Sequence, residues 1–183
     1  RDRPKRCPDI LAHIVILVPV VTFLFFIQGI IVSEYYSSKA ETYLYEDNAE
    51  MFAKSVNGAN KAGFGLNARP YILAASVPMA ILEDQVSVMH DDEKQKLSDQ
   101  VTDLLDKAEQ NNSHLVTVHN YRGRLHYILG DDKAESFLKR ALSVNEYHLP
   151  TRERLANLYQ KQGNELAAYE VLKAGMSWEY PFY

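Results

Sequence analysis

A step of 33 residues relates the two halves of the stretch from Asn120 to Met176. It carries Gly123 onto Ala156, Leu125 onto Leu158, His126 onto Tyr159, Gly130 onto Gly163, Ala134 onto Ala167 and Ala141 onto Ala174. The same step taken backwards brings Ala134, Leu138 and Ala141 onto Val101, Leu105 and Ala108. Self-similarity at a fixed interval of this length marks a helical solenoid, in which each unit buries its apolar face only against its neighbours.

The residue types supply the physics. Gly130 and Gly163 close the first helix of each unit, where a left-handed residue ends a helix without a Cβ clash. Small residues at 123, 134, 141, 156, 168 and 175 let helix backbones approach closely. Leu138, Leu142, Leu155, Leu158 and Leu172 fill the space between them at helical spacing. Nothing alternates with period two for long enough to form a sheet, so the expected fold class is all-α.

These residues resemble the tetratricopeptide repeat (TPR). Leu155-Ala156, Tyr159, Gly163, Ala168, Leu172 and Gly175 follow that family's pattern, and Gly123, Gly130, Ala134, Leu138, Ala141 and Leu142 follow it with departures. One residue is missing between Gly130 and Ala134, Arg122 replaces the usual Leu, and His126 stands at the aromatic position. The resemblance covers roughly the last third of the chain. It implies that the first helix of each pair lines a concave groove holding a segment of a partner protein. Carried over by register, the partner-binding positions are Asn120, Arg124, Tyr127, Glu153, Asn157 and Gln160, read as exposed on that face.

Ahead of the repeats, residues 10–33 carry no Lys, Arg, Asp or Glu. A helix of about 23 residues spans a hydrocarbon core of about 30 Å, so this run is expected to be a transmembrane helix. Pro19 is expected to kink it, and His13 and Gln28 are its polar interruptions. Arg1, Arg3, Lys5 and Arg6 precede the run; Glu34, Glu41, Glu46, Asp47 and Glu50 follow it with Lys39 opposing. The positive-inside rule then leaves residues 1–9 as a cytoplasmic flank and the rest outside, which in a bacterial inner membrane means the periplasm. Tyr35 and Tyr36 fall where an interfacial aromatic belt belongs. The chain starts at Arg1 rather than Met, so further residues are expected upstream.

Residues 34–92 are expected to form a linker and first helical hairpin. Tyr45, Ala49, Phe52, Val56 and Ala59 give a single apolar face to a helix over 37–62. Pro70 starts a second helix, with Pro78 breaking or bending it. Residues 93–183 hold the repeats, and the aromatic end Trp178, Tyr180, Phe182 and Tyr183 is expected to cap them.

Of the net charge of −4, residues 1–9 contribute about +2, leaving 16 basic and 22 acidic residues beyond them. That acidity argues against a nucleic-acid partner, since phosphate binding needs a basic face. The single cysteine, Cys7, allows no internal disulfide. There is no phosphate loop, no Gly-x-Ser-x-Gly and no His-Glu-x-x-His, so no catalytic, cofactor, metal or small-molecule substrate site is expected. His114, His119 and His126 lack carboxylate or thiol companions at metal-ligand spacing, and Asp131-Asp132 and Asp91-Asp92-Glu93 suit helix N-termini. Asn111, with Ser113 two residues on, has the spacing of a glycosylation acceptor.

The leading expectation is a membrane-anchored scaffold that binds and positions a partner in the cell envelope. Two others remain open. A last membrane helix followed by an outward repeat domain is similar in organisation to the C-terminal end of O-antigen ligase and polymerase-type glycosyltransferases. The chain could equally be an accessory subunit of a secretion, pilus or respiratory complex.

Overall fold

The computed structural model describes residues 8–112 and 115–176, with side chains from Leu17 to Gly175. Cys7, the basic flank through 7, Ser113, His114 and the aromatic end beyond 176 lie outside what it describes, as does the side chain of His13. Among the described residues there are eight helices and no strand. They fall into two compact units, residues 1–67 and 68–183, so the stretch 34–92 contributes to both.

The first unit is a hairpin of α1 (Pro8–Tyr45) and α2 (Ala49–Ala62). α1 is continuous through Pro19 and extends beyond the apolar run. The helix expected over 37–62 is broken at 46–48. Asp47 adopts φ 53, and the Asn48 side chain accepts from the Met51 N–H at 3.1 Å to cap α2. The chain thereby reverses, so Tyr45 is 91% exposed while Phe52, Val56 and Ala59 are buried. α2 runs antiparallel to α1. A Cβ on Gly58 would lie 3.0 Å from the Tyr36 ring, one on Gly63 2.8 Å from Ser33 Oγ, and one on Gly29 2.6 Å from the Ala62 carbonyl. Gly29, Ser33, Ser37 and Ala40 recur at helical spacing along the α1 side of this contact. Ser33, Ser37 and Ala40 are fully buried there.

The second unit stacks three hairpins: α3 (Arg69–Gln85) with α4 (Asp91–Asn111), α5 (Val116–Leu129) with α6 (Lys133–Val144), and α7 (Leu149–Lys161) with α8 (Glu165–Met176). Pro70 and Pro150 sit in the first turns of α3 and α7, where a missing N–H is harmless. Pro78 does not break α3; it is buried within it. Gly130 and Gly163 take φ 71 and 74, left-handed as the repeat pattern requires.

The 33-residue step holds for the second helices of the first two hairpins: Val101, Leu105 and Ala108, then Ala134, Leu138 and Ala141, are all fully buried. In the third it lengthens by one. Ala168 is 2% exposed, while Ala167 is only partly buried and Ala174 is exposed. The residue missing between Gly130 and Ala134 accounts for the shift. Met79, Leu82, Val101, Leu105, Val118 and Leu125 make one core cluster; Leu138, Leu155, Ala156, Tyr159 and Ala168 make another.

Candidate functional site

Stacking by hairpins brings the first helices α3, α5 and α7 side by side. Their shared surface is held by a chain of polar contacts that crosses all three. On α3, Glu83 accepts from Arg124 of α5: Nε donates to Oε1 at 3.3 Å, and Nη2 completes a two-armed pair. The Arg124 guanidinium also lies 5.9 Å from the Tyr121 ring. One turn back on α5, Asn120 Oδ1 accepts from Arg154 Nη1 at 2.9 Å and from Thr151 Oγ1 at 3.1 Å, both on α7. His148 Nδ1 meets Thr151 Oγ1 at 2.6 Å. Farther along, Lys161 Nζ sits 4.1 Å above the Tyr127 ring, a cation–π contact.

Electrostatics bind these residues into one cluster. Burial pushes Arg154 below its ordinary value; the nearby Arg124 guanidinium adds to this, and Glu83 opposes it. His148 is lowered too, by burial first and by Arg154 second. Three cations, Arg124, Arg154 and Lys161, thus border a surface to which Glu83 brings a carboxylate.

The positions carried over by register divide in two. Asn120, Arg124 and Tyr127 are drawn together on α5 within this cluster. Asn120, however, is 7% exposed, so it is a tie between α5 and α7 rather than an open position. Arg124 keeps 20% of its side chain exposed and is committed to Glu83. On α7, Glu153, Asn157 and Gln160 are all exposed. At about 100° per residue, Asn157 falls beside Arg154 and Lys161, whereas Glu153 and Gln160 lie roughly 100–120° around the helix from Arg154. Asn157 borders the cationic surface; Glu153 and Gln160 face its far edge.

Sequence reasoning missed Glu83, Arg154 and Lys161. The seven-residue spacing of Arg154 and Lys161 was the available signal, because it sets both on one face of α7. Across the hairpin from this surface, His126 fills the aromatic position by stacking on Phe137 at 5.1 Å and 3°. Its Nδ1 also pairs with Asp131 at 3.0 Å. Asp131 lies below the ordinary carboxylate range, chiefly because the Lys133 backbone N–H donates to it. No cluster of three or more metal-ligating side chains occurs among the described residues.

No family model matches the sequence, and no curated protein is similar to it. Solved structures are similar to it in fold. A thermophilic TPR protein of Thermus thermophilus, TTC0263, superimposes with a TM-score of 0.66 at 22% identity, over 79% of this chain and 72% of its own. The crystal structure of MamA superimposes with a TM-score of 0.57 at 18% identity, over 79% and 76%. With its hairpins, its left-handed glycines and its small-residue contacts, the chain has a TPR-like fold.

Proposed function

We propose that the chain is a non-enzymatic, membrane-anchored scaffold whose groove over α3, α5 and α7 holds a carboxylate-bearing segment of another envelope protein. The carrying observation is the charge of that surface, where Arg124, Arg154 and Lys161 outnumber Glu83 in a chain that is acidic overall. Guanidinium groups held by neighbours are preorganised to donate to a carboxylate, so little side-chain entropy is lost on docking. Exposed Asn157 adds a donor and acceptor able to engage the segment's backbone.

One helix is long and apolar enough to cross a membrane. Leu17, Val21, Phe23, Leu24, Phe25 and Ile31 are each more than half exposed, apolar surface that a bilayer would cover. On this reading the basic flank stays in the cytoplasm, and α2 and the second unit lie on the other side, in a bacterium the periplasm.

The test places a photo-crosslinking residue at Asn157 in native membranes, with Lys139 on α6 as control. A partner captured from Asn157 but not from Lys139, and lost on Lys161→Glu, supports the groove. Equal capture from both positions refutes it.

A further inference from the structure

We propose that the turn Gly63–Leu66, which follows α2, is a second membrane-contact site that inserts Phe64 and Leu66 into the acyl region of a bilayer beside α1. This rests on the reading that α1 spans a membrane and adds a site remote in sequence from the span.

The turn has an unusual build. Phe64 and Gly65 have φ 53 and 71, and the Leu66 N–H donates to the Gly63 carbonyl at 2.9 Å, which together make a type I′ turn. Such turns favour Asn, Asp and Gly at both central positions, and an aromatic residue there is strained by its Cβ. Here Phe64 occupies the first of them, still 47% exposed, and Leu66 follows at 59% exposed. For a turn in water this choice is doubly unfavourable, in backbone strain and in exposed apolar area.

Its surroundings explain the choice. The Phe64 ring lies 5.4 Å from the rings of Phe25 and Phe26, both within the charge-free run of α1. The first charged residue of α1 beyond that run is Glu34, eight residues after Phe26. The ring also abuts the Gly29 position, so at 1.5 Å per residue it sits about 8–12 Å below the Glu34 level along α1. A headgroup layer accounts for about 5–7 Å of each leaflet, so Phe64 reaches past it into hydrocarbon. Asn67 returns the chain to the polar level, donating to Ser33 Oγ at 3.0 Å and Glu34 Oε1 at 2.7 Å.

The backbone of the turn is equipped for the same environment. Hydrocarbon offers no hydrogen bonds, so any N–H placed there must be satisfied internally. All four are: Gly63 donates to Ala59 at 2.9 Å, Phe64 to Lys61 at 3.4 Å, Gly65 to Asn60 at 3.1 Å and Leu66 to Gly63 at 2.9 Å. Lys61, the nearest charge, is exposed and has the stem length to reach headgroups.

The test uses the full chain with Cys7→Ser, carrying one nitroxide-labelled cysteine at Leu66, Val21 or Asn57, in phosphatidylcholine–phosphatidylglycerol vesicles. Power saturation compares the label's access to dissolved oxygen, which favours lipid, with access to a water-soluble nickel chelate. The expected result is a lipid-type ratio at Leu66 and Val21, inverted at Asn57 on the outer face of α2. Phe64→Asn keeps a residue that tolerates the left-handed backbone but removes the ring, and should shift the Leu66 label toward the water-type ratio. Leu66 reading like Asn57 while Val21 reads as lipid overturns the inserted turn and leaves the anchor standing. Water-type ratios at all three positions overturn both. Spin–spin broadening at Leu66 with neither reagent gaining access assigns the turn to contact with a second copy and overturns the lipid assignment. A Leu66 signal unmoved by Phe64→Asn also overturns it.

Discussion

The hairpin α1–α2 and the hairpin α5–α6 close in the same way and are filled differently. Both bring helix backbones together over small residues: Gly29 against the Ala62 carbonyl in one, Gly123 against Leu138 in the other. Between α1 and α2 the buried positions are Ser33, Ser37 and Ala40 of α1 with Phe52, Ser55, Val56 and Ala59 of α2, while ahead of this contact Leu17, Phe23 and Phe25 point outward. In the repeat unit Leu105, Leu138 and Leu155 are buried, and charges such as Lys139 and Arg140 point outward. Ser37 Oγ donates to the Ser33 carbonyl at 2.9 Å, so its burial leaves no donor unmet. Large residues inside and charges outside suit water, where apolar burial drives association. Small residues on the α1 side instead let the α2 backbone approach closely, and Phe52 and Val56 fill what remains. The two hairpins thus pair by different proportions of close backbone approach and apolar filling.

The sharpest way to break that comparison is to remove a large residue from the water-type core. Leu138→Ala should lower the stability of the repeat unit by about 2–5 kcal/mol, read as the shift in its urea midpoint. Ser37→Ala, the matching change between α1 and α2, should cost under about 1 kcal/mol because it removes a locally satisfied hydroxyl. Equal losses would mean that both interfaces are packed alike.

A smaller effect tests what the two hairpins share. A Cβ on Gly123 would meet Leu138 Cδ2 at 2.6 Å and the Leu138 backbone N at 3.2 Å. Gly123→Val should therefore destabilise by about 1–3 kcal/mol through overpacking. Gly29→Val meets backbone instead, the Ala62 carbonyl, which cannot swing aside as a side chain can. It should loosen the end of α2 and speed trypsin cleavage at Lys61 in vesicles. Unchanged cleavage would show that the approach at Gly29 is not needed.

These examples also mark what the sequence could reveal. Gly130 and Gly163 were legible because a left-handed helix end has a strong residue preference, and Val101, Leu105 and Ala108 were legible because they repeat a pattern found twice more. α3 was not legible as the first helix of a third hairpin. It has no turn glycine after Gln85, and its composition is too evenly apolar to show a face. The break at Asp47 was invisible for a related reason: a charged residue took the left-handed position, with no Gly or Pro to announce it. At the candidate site, the register carried over from the repeat family put Asn120, Arg124 and Tyr127 together on α5 but said nothing of its neighbours. Asn120 looked open because one helix was read at a time, and it is buried because α7 stands against it.

Asn120 provides the next prediction in size. Its Oδ1 accepts from both Thr151 and Arg154, so Asn120→Ala leaves a half-buried guanidinium and a buried hydroxyl short of an acceptor. A loss of about 1–3 kcal/mol is expected in urea denaturation. Asn157→Ala, on the exposed face of the proposed groove, should leave stability within about 0.5 kcal/mol while weakening partner capture. That pair of variants separates holding the groove together from using it.

The smallest effect concerns His148, and its direction follows from the same contacts. Thr151 has a single hydroxyl proton, which it gives to Asn120 Oδ1 at 3.1 Å. His148 Nδ1, at 2.6 Å from Thr151 Oγ1, therefore carries a proton and donates it, leaving Nε2 as the site that titrates. Adding a second proton is opposed by burial first and by the Arg154 guanidinium second, so the folded-state pKa lies below that of an unfolded histidine. As pH falls through about 6.5, the unfolded chain takes up its proton before the folded one does. Stability contributed by neutral His148 is thus present above that pH and is lost as the pH descends toward the folded value. The urea midpoint of the repeat unit should fall between pH 7.5 and 5.5, and His148→Asn should reduce that fall. Since His148 joins the α5–α7 contact through Thr151 and Asn120 and lies near Arg154, a pH dependence unchanged by His148→Asn would mean that the polar chain across α5 and α7 does not hold in solution.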